Sequence, residues 1–501
     1  MKTKKTQVKK DLILAIDEGT TGSTAMLVNE DLKVKAIESI DFRQIYPKPG
    51  WVEHNLDDIW KATSTAIQRA IKKVPGSAKK IAAIGITNQR ETSCFWSKSK
   101  KTPLCNAIVW QDRRTAEYCN VQKMLGHESF IQSRTGLLLD PYFSGTKVHW
   151  ALENIQKVKR ASGKQDLAFG TIDSYLVFKL TNGKSFVTEP SNASRTLLFN
   201  IHQMSWDDEL LKLFGIPRSC LPEVKDSNAH FGETSKVPGL PDGIPIYGIL
   251  GDQQAALLGQ ACIHEGMAKC TYGTGAFILM NTGNTPRSSS ARLLSTVAWQ
   301  FNGKTTYALE GGAFTAGASV QWVRDELKFI KKSEDIERLA CSVDSSGEVM
   351  FVPAFTGIGA PYWKPDARAA FFGITRGSTR AHMARAVLEG IALMNVDILT
   401  AMEKDLGSKM KSLNVDGGAS MNNFLMQFQA DVLGVDLIRP KMIETTSLGA
   451  IFAAGLGVGF WSSLDEIVKS WKKDRNFKPK MKIEEKNRWL SRWHEIIGRV
   501  S

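Results

Sequence analysis

The chain has 501 residues, 43% of them hydrophobic and 23% charged, and a formal net charge of +14. This length is enough for about two to four domains, and the composition excludes a disordered or fibrous protein. The excess of lysine and arginine is concentrated at the two ends of the chain, where solvated termini account for it. We therefore expect no nucleic-acid partner, although a positive field would help to attract an anionic substrate.

Cysteines and apolar runs restrict the compartment. The seven cysteines form no CxxC pair, which indicates reduced thiols and a cytoplasmic protein. The longest weakly polar run, residues 448–461, includes four glycines and is too short to cross a bilayer. We expect no membrane insertion.

The first half of the chain has the pattern of an α/β domain. Residues 12–17 form a buried strand that enters a Gly/Thr turn, and strands over 25–28 and 34–40 continue it as a meander. A helix is predicted over 57–73, strands over 81–87 and 246–250, and another helix from about Ala255. Strands that alternate with helices predict an α/β fold.

The opening pattern returns about half a chain later. Residues 270–275 form a second strand and Gly/Thr turn, and a strand over 276–280 follows. A strand over 413–415 leads through Asp416, Gly417 and Gly418 towards a helix over 423–433. Two hairpins at this spacing suggest two topologically related halves. We predict a boundary near residue 260, which gives domains of 1–260 and 261–501.

Three glycine-containing turns are candidates for phosphate binding. The P-loop pattern GxxxxGK[ST] and a complete dinucleotide fingerprint are both absent from the sequence. The turns at 19–22, 273–275 and 417–418 remain. Backbone N–H groups in such turns bind anions, and Thr hydroxyls add donors. Together the three turns predict a nucleotide site.

Charged residues follow the predicted strands. Asp17 is placed either to hold Mg²⁺ or to cap a turn. Asp252 is placed either as the general base of a phosphoryl transfer or as the N-cap of the next helix. Arg90 and Glu91 either bracket a substrate hydroxyl or form an exposed ion pair. The residues alone leave these alternatives open.

Eleven segments of the chain resemble the FGGY family of carbohydrate kinases. In chain order they are AIDEGTTGS, GWVEHN, GITNQRET, AIVWQDRR, TIDSYLVFKLTNGKSFVTEPSNASRTLLFNI, GILGDQQAALLGQ, MAKCTYGTGAF, FTAGASVQWVRDE, FVPAFTGIGAPYWKPDARA, VDGGASMNNFLMQFQADVLG and SLGAIFAAGLGVGFW. The resemblance covers essentially the whole length. The blocks NQRET and VWQDRR resemble members that act on glycerol rather than on pentuloses.

The resemblance implies a two-domain actin/hexokinase-like (ribonuclease H-like) α/β fold with a central cleft. It implies ATP-dependent phosphorylation of glycerol to sn-glycerol 3-phosphate by in-line transfer, with Asp252 as the general base and Mg²⁺ at Asp17. Since the glycerol contacts fall mostly before residue 260 and many nucleotide contacts after residue 270, we expect the two domains to close on their ligands. A homo-oligomer, either a dimer or a tetramer, is also expected.

The resemblance also implies the residues of each site. The substrate residues are Arg90, Glu91, Trp110, Tyr142, Asp252, Gln253 and Phe277. The nucleotide residues are Thr20, Thr21, Gly22, Thr274, Gly317, Gln321, Gly418 and Asn422. Taken alone, Trp110 and Phe277 are as typical of a core as of a pocket.

The chain departs from the family pattern in two places. Gly22 and Thr24 stand where many relatives have Ser and Arg, so we expect ATP binding to depend more on backbone donors here. Residues 235–243 lack the Gly-rich basic composition of relatives that a sugar bisphosphate inhibits, so we expect no such inhibition.

Two other functions remain open at this point. One is a kinase of the same family that acts on another small polyol or a ketose, and a substrate panel separates it from a glycerol-specific enzyme. The other is a catalytically silent sensor that binds nucleotide or sugar without transfer. Asp17, Asp252 and the three glycine turns favour an enzyme, because a sensor has no need of a general base.

Overall fold

The structure is a computed structural model that describes residues 9–364 and 366–500. Its strands are β1 (Leu12–Glu18), β2 (Gly22–Asn29), β3 (Val34–Asp41), β4 (Gln44–Ile45), β5 (Glu53–His54), β6 (Ile81–Asn88), β7 (Cys94–Ser97), β8 (Ala107–Ile108), β9 (Leu167–Gly170), β10 (Val187–Thr188), β11 (Phe199–Asn200), β12 (Ser205–Trp206), β13 (Glu223–Val224), β14 (His230–Glu233), β15 (Pro245–Gly251), β16 (Met267–Tyr272), β17 (Ala276–Gly283), β18 (Leu294–Phe301), β19 (Lys304–Ala313), β20 (Met350–Val352), β21 (Ala370–Phe372), β22 (Ser412–Asp416), β23 (Leu437–Pro440) and β24 (Lys473–Phe477). Its helices are α1 (Leu56–Lys73), α2 (Ala116–Met124), α3 (His127–Thr135), α4 (Ser144–Asn154), α5 (Gln156–Gly163), α6 (Ile172–Leu180), α7 (Pro190–Ala193), α8 (Asp208–Phe214), α9 (Asp252–Gly259), α10 (Gly317–Asp325), α11 (Asp335–Ala340), α12 (Arg380–Leu406), α13 (Asn423–Leu433), α14 (Thr445–Val458), α15 (Leu464–Ser470) and α16 (Ile483–Arg499).

The described chain forms two compact units. The long N-terminal segment of the first unit ends at Ala261, and the unit also includes Thr296–Tyr307 and Thr446–Ser470. The remaining segments, from Cys262 onwards, form the second unit. The division near residue 260 is therefore followed by two later segments that pack with the first unit. On α14, for example, the backbone lies so close to β6 that a Cβ on Gly85 would be 2.4 Å from the carbonyl oxygen of Ala450.

The first unit is built on a six-stranded sheet with the order β14-β15-β6-β1-β2-β3. The strands β1, β2 and β3 form an antiparallel meander, whereas β6 pairs in parallel with both β1 and β15. The central strands β1 and β6 are buried almost throughout, as expected of parallel strands that are covered on both faces. Helix α1 packs its apolar side on β2 and β3, and the Asn55 side chain caps its first turn.

The second unit contains a seven-stranded sheet with the order β18-β19-β17-β16-β22-β23-β24. Here β16 and β17 are antiparallel, β22 pairs in parallel with both β16 and β23, and β24 is antiparallel to β23. From β19 to β24 this order has the same form as that from β3 to β14 in the first unit. The two hairpins in the sequence predict such a repeat. The long, mostly buried α12 packs on β17, β20 and α13.

Among the described residues, no helix combines the length and the apolar character needed to cross a membrane.

Candidate active site

Parallel pairing brings three strand ends to one edge of the first sheet. Asp17 lies near the end of β1, which pairs in parallel with β6, and β6 pairs in turn with β15. The last residues of β6 and β15, Asn88 and Gly251, are partners in register. Arg90 and Asp252 follow these two residues closely in the chain. Ligands of open α/β sheets bind at the carboxyl ends of parallel strands, so this edge is the candidate active site.

Arg90 is the centre of a buried ionic cluster. Its Nε lies 3.2 Å from Oδ1 of Asp252 and 3.8 Å from Oε1 of Glu91. Its Nη1 donates to Oε1 of Gln254 at 3.1 Å, and its Nη2 donates to the hydroxyl of Tyr142 at 3.5 Å. The side chains of Arg90 and Glu91 are each only 2% exposed. The alternative of an exposed ion pair is therefore wrong.

Asp252 is the first residue of α9, which begins three residues earlier than the sequence predicts. The N-cap is Gly251, which has no side chain with which to cap. The Asp252 carboxylate instead accepts a hydrogen bond from its neighbour, the Gln253 N–H, at 2.6 Å. Unlike Arg90, it is 30% exposed. The carboxylate can therefore meet a ligand, and the positive end of the helix dipole favours its ionised form.

Glu91 is held from its other side by Arg195, a residue that sequence reasoning did not single out. Nε of Arg195 donates to Oε1 of Glu91 at 2.6 Å, and its guanidinium group lies 5.3 Å from the centre of the Phe143 ring. Arg195 is completely buried. Glu91 has a φ of 60°, which is costly for a residue with a Cβ. Its carbonyl oxygen accepts a hydrogen bond from the hydroxyl of Ser144 at 2.9 Å, which helps to hold this backbone.

Two aromatic rings lie beside the cluster. Trp110 and Tyr142 pack edge to face, with ring centroids 5.6 Å apart. Nε1 of Trp110 donates to the hydroxyl of Thr20 at 3.0 Å, which links the aromatic pair to the first Gly/Thr turn. Phe277, the third predicted aromatic, lies on β17 of the second unit, where its ring is 3.3 Å from the position of a Cβ on Gly312.

The first Gly/Thr turn connects β1 to β2. The Asp17 carboxylate accepts a hydrogen bond from the hydroxyl of Ser447 at 3.4 Å. At Gly22 a Cβ would lie 2.9 Å from the carbonyl oxygen of Ile40, so the close approach of β3 accounts for a glycine here. Thr24, the second departure from the family pattern, hydrogen-bonds Ser39 on β3 at 2.8 Å.

Two buried ionisable groups support the strand ends. Burial raises the pKa of Glu18 to about 8, although the hydroxyls of Ser23 and Thr63 donate to the carboxyl group. Burial also lowers the pKa of Lys147 to about 8. Its Nζ donates to the carbonyl oxygen of Tyr142 at 2.6 Å and so fixes the backbone that carries that ring.

In the second unit, the turn between β16 and β17 packs directly on the start of α10. The N–H of Gly273 donates to the carbonyl oxygen of Gly275 at 2.9 Å, and the N–H of Gly317 donates to that of Gly273 at 3.0 Å. A Cβ on Gly317 would lie 2.5 Å from the Gly273 oxygen. Thr274 and, one helical turn beyond Gly317, Gln321 are both exposed. Gly317 and Gln321 follow from the family resemblance, and this packing gives the physical reason for the glycine.

The Asp-Gly-Gly turn after β22 meets the same hairpin. Gly417 has a φ of 83°, and a Cβ there would lie 2.4 Å from the carbonyl oxygen of Tyr272. Gly418 is exposed and has open space at its Cβ position. Asn422 is the N-cap of α13, where its side chain accepts a hydrogen bond from the N–H of Leu425 at 2.9 Å. The second unit therefore brings Thr274, Gly317 and the Asp-Gly-Gly turn to neighbouring positions.

A repeated sheet with glycine turns, together with a carboxylate beside a buried arginine, is typical of the two-domain sugar and polyol kinases. The model of the N-terminal domain of the FGGY family of carbohydrate kinases matches residues 12–259, and that of the C-terminal domain matches residues 268–458. The chain belongs to the FGGY family of carbohydrate kinases.

Individual relatives align with nearly the whole chain. A glycerol kinase of Myxococcus xanthus is 52% identical over 494 residues, which are 98% of this chain and 100% of the relative. The crystal structure of Plasmodium falciparum glycerol kinase with ADP has a TM-score of 0.93 and 36% identity, and the match covers 98% of each chain. A gluconate kinase from Lactobacillus acidophilus has a TM-score of 0.88 and 25% identity, over 97% of this chain and 98% of that one. The expected two-domain α/β kinase fold is confirmed.

Proposed function

We propose that the chain transfers the γ-phosphoryl group of ATP to a terminal hydroxyl of glycerol and releases sn-glycerol 3-phosphate and ADP. The relatives with the same two domains in Myxococcus xanthus and Plasmodium falciparum are named glycerol kinases. One observation carries the proposal for the site: the partly exposed Asp252 carboxylate lies 3.2 Å from the buried Arg90. A hydroxyl is a poor nucleophile, so the reaction needs a carboxylate that accepts its proton.

The glycerol hydroxyls would be bound by groups of both hydrogen-bonding types. Arg90 supplies donors, Asp252 and Glu91 supply acceptors, and Gln253 supplies both. The rings of Trp110 and Tyr142 would pack against the carbon chain, and Phe277 stays a predicted contact from the second unit. During transfer the hydroxyl proton passes to Asp252, the new O–P bond forms at the glycerol oxygen, and the bond from the γ-phosphorus to the bridging oxygen of ADP breaks.

The nucleotide would be bound mainly by turns and helix starts. The proposed residues are Thr20, Thr21 and Gly22 of the first unit, and Thr274, Gly317, Gln321, Gly418 and Asn422 of the second. Support comes from the tight turn at Gly273 and from its packing on the first residue of α10. Backbone N–H groups in turns and at helix N-termini bind phosphate.

Mg²⁺ would be held at Asp17. Within residues 9–364 and 366–500, no group of three or more His, Cys, Asp or Glu side chains is arranged to bind a metal. Mg²⁺ commonly uses one or two carboxylates and takes its other ligands from phosphate and water. A single carboxylate beside a phosphate-binding turn fits that requirement. When bound, the ion would neutralise charge on the transferring phosphoryl group.

The test is ADP release by the purified chain with glycerol, dihydroxyacetone and a pentulose as acceptors. We expect the highest kcat/KM with glycerol, because Trp110 and Tyr142 restrict the room for a longer sugar. A higher kcat/KM with a ketose would support a different substrate within the family. ADP release that does not depend on any acceptor, or no release at all, would contradict the proposal.

The compartment and the assembly remain predictions. All seven cysteines are free, which is typical of the reducing cytoplasm, where we place the reaction. The expected homo-oligomer, a dimer or a tetramer, can be tested by sedimentation of the purified chain.

A further inference from the structure

A single buried carboxylate, Glu189, lies behind the candidate active site. It accepts five hydrogen bonds of 2.5–3.0 Å: two from Ser191 (N–H and O–H), two from Asn192 (backbone and side-chain N–H) and one from the hydroxyl of Ser227. Glu189 is completely buried, and burial raises its pKa to about 7. Five donors on two oxygens favour the ionised carboxylate, which only accepts hydrogen bonds.

This carboxylate is connected to both strands that carry the site. The hydroxyl of Ser191 donates to Glu189 and accepts the N–H of Gly251 at 2.9 Å, at the end of β15. Asn192 exchanges two side-chain hydrogen bonds with Asn88, of 2.9 and 3.1 Å, at the end of β6. The next residue after Gly251 is Asp252, and Arg90 comes two residues after Asn88. The two connections run through different atoms, so each can be broken alone.

We propose that Glu189 and Ser191 are positioning residues that fix the Asp252 carboxylate relative to Arg90 by holding the ends of β15 and β6. The proposal rests on the proposed function, in which Asp252 is the base. Neither residue touches the substrate.

The energetic reason is the small tolerance of proton transfer for displacement. A shift of the reacting groups by about 1 Å can cost on the order of 10²-fold in rate. The N–H of Gly251 is buried at the last position of its strand, and the Ser191 hydroxyl is the acceptor that holds it. Without that hydroxyl, the end of β15 can relax, and the 3.2 Å separation of Asp252 from Arg90 changes with it.

The structure contains a matched control for this proposal. The hydroxyl of Ser227 also donates to Glu189, at 2.7 Å, and also accepts a backbone N–H, that of Gln300 at 3.1 Å. Ser191 and Ser227 are both completely buried. Ser191→Ala and Ser227→Ala therefore remove equivalent hydrogen bonds, but only the first of these leads to Asp252.

The experiment measures Tm, kcat and both KM values for the wild type and the two variants. Glycerol-dependent activity of the wild type is established first, so that a failure of the proposed function is recognised separately. We expect similar losses of Tm in the two variants. In Ser191→Ala we expect kcat to fall about tenfold or more, with an unchanged KM for ATP, and in Ser227→Ala we expect kcat within about twofold of the wild type.

Equal losses of kcat in the two variants, or no loss in Ser191→Ala, would overturn the proposal. If Ser191→Ala does not fold, Ser191→Cys and Ser227→Cys make the same comparison with side chains of nearly the same size. A thiol is a weaker hydrogen-bonding group than a hydroxyl, so we expect a smaller loss of kcat that is again confined to the Ser191 variant. Equal kcat values in the two Cys variants would overturn the proposal in the same way.

Discussion

In the first unit the residues that follow the central strands are charged, whereas in the second unit the residues in comparable places are glycines. Arg90 and Asp252 follow β6 and β15, while Gly273 and Gly417 follow β16 and β22. Both sheets have the same strand order over this region. The comparison shows that one arrangement of strands can present either directed side chains or backbone N–H groups at its edge.

The difference suits the two proposed ligands. A neutral polyol is recognised by donors and acceptors that point in fixed directions, and the buried Arg90 and Arg195 hold Glu91 and Asp252 in such directions. Phosphate groups are bound by backbone N–H groups, which require a tight turn rather than a particular side chain. Substitutions that remove charge should therefore affect the first unit most, and substitutions that add a Cβ should affect the second.

The largest effect is expected at Asp252. Replacing Asp252 with Asn removes the group that accepts the proton, so we expect kcat to fall by roughly 10²–10⁴-fold, as is typical for a lost general base. The KM for glycerol should change little, because an amide still hydrogen-bonds a hydroxyl. Steady-state ADP release measures both quantities. A kcat like that of the wild type would show that Asp252 is not the base.

The next effect is expected at Arg90. Arg90→Ala removes the donor between Asp252 and Glu91 and leaves the buried Glu91 with one cationic neighbour fewer. Loss of a charged hydrogen-bond partner costs about 1.5–3 kcal/mol, so the KM for glycerol should rise about 10- to 150-fold, and that for ATP should change less. Arg218→Ala is the control, because Arg218 forms an exposed ion pair with Asp208 and such pairs contribute little. An equal rise in both KM values would contradict a role confined to glycerol.

The strands and their ends could be predicted from the sequence because each central strand is a continuous apolar run. The run over residues 81–87 is β6 with one further residue, and the helix over 423–433 has the predicted bounds. The start of α9 was wrong, because the prediction relied on the apolar segment after Ala255. The polar residues from Asp252 to Gln254 already belong to the helix, since it begins where β15 ends.

The contacts that complete the site could not be predicted from spacing. Arg195 lies 104 residues from Glu91, and Ser447 lies 430 residues from Asp17. No local pattern connects such pairs, since only the packing of distant segments brings them together. Arg195 falls within a segment that resembles the family, but a single arginine among serines and threonines gives no sign of a buried ion pair.

The smallest effect is expected in the second unit, at two neighbouring glycines. A Cβ on Gly418 would meet no atom within 4 Å, whereas a Cβ on Gly417 would lie 2.4 Å from the carbonyl oxygen of Tyr272 at a φ of 83°. Gly417→Ala should therefore lower Tm, and Gly418→Ala should keep or slightly raise it, because alanine restricts the unfolded chain. If the nucleotide lies against Gly418, as we propose, the added methyl should cost roughly 1 kcal/mol and raise the KM for ATP about fivefold. The KM for glycerol should stay the same, since the first unit is unchanged. Thermal unfolding and ADP-release kinetics of the two variants separate these effects. A Gly418→Ala variant with the ATP KM of the wild type would show that the nucleotide does not depend on this turn, and the contrast between side-chain and backbone recognition would then fail in the second unit.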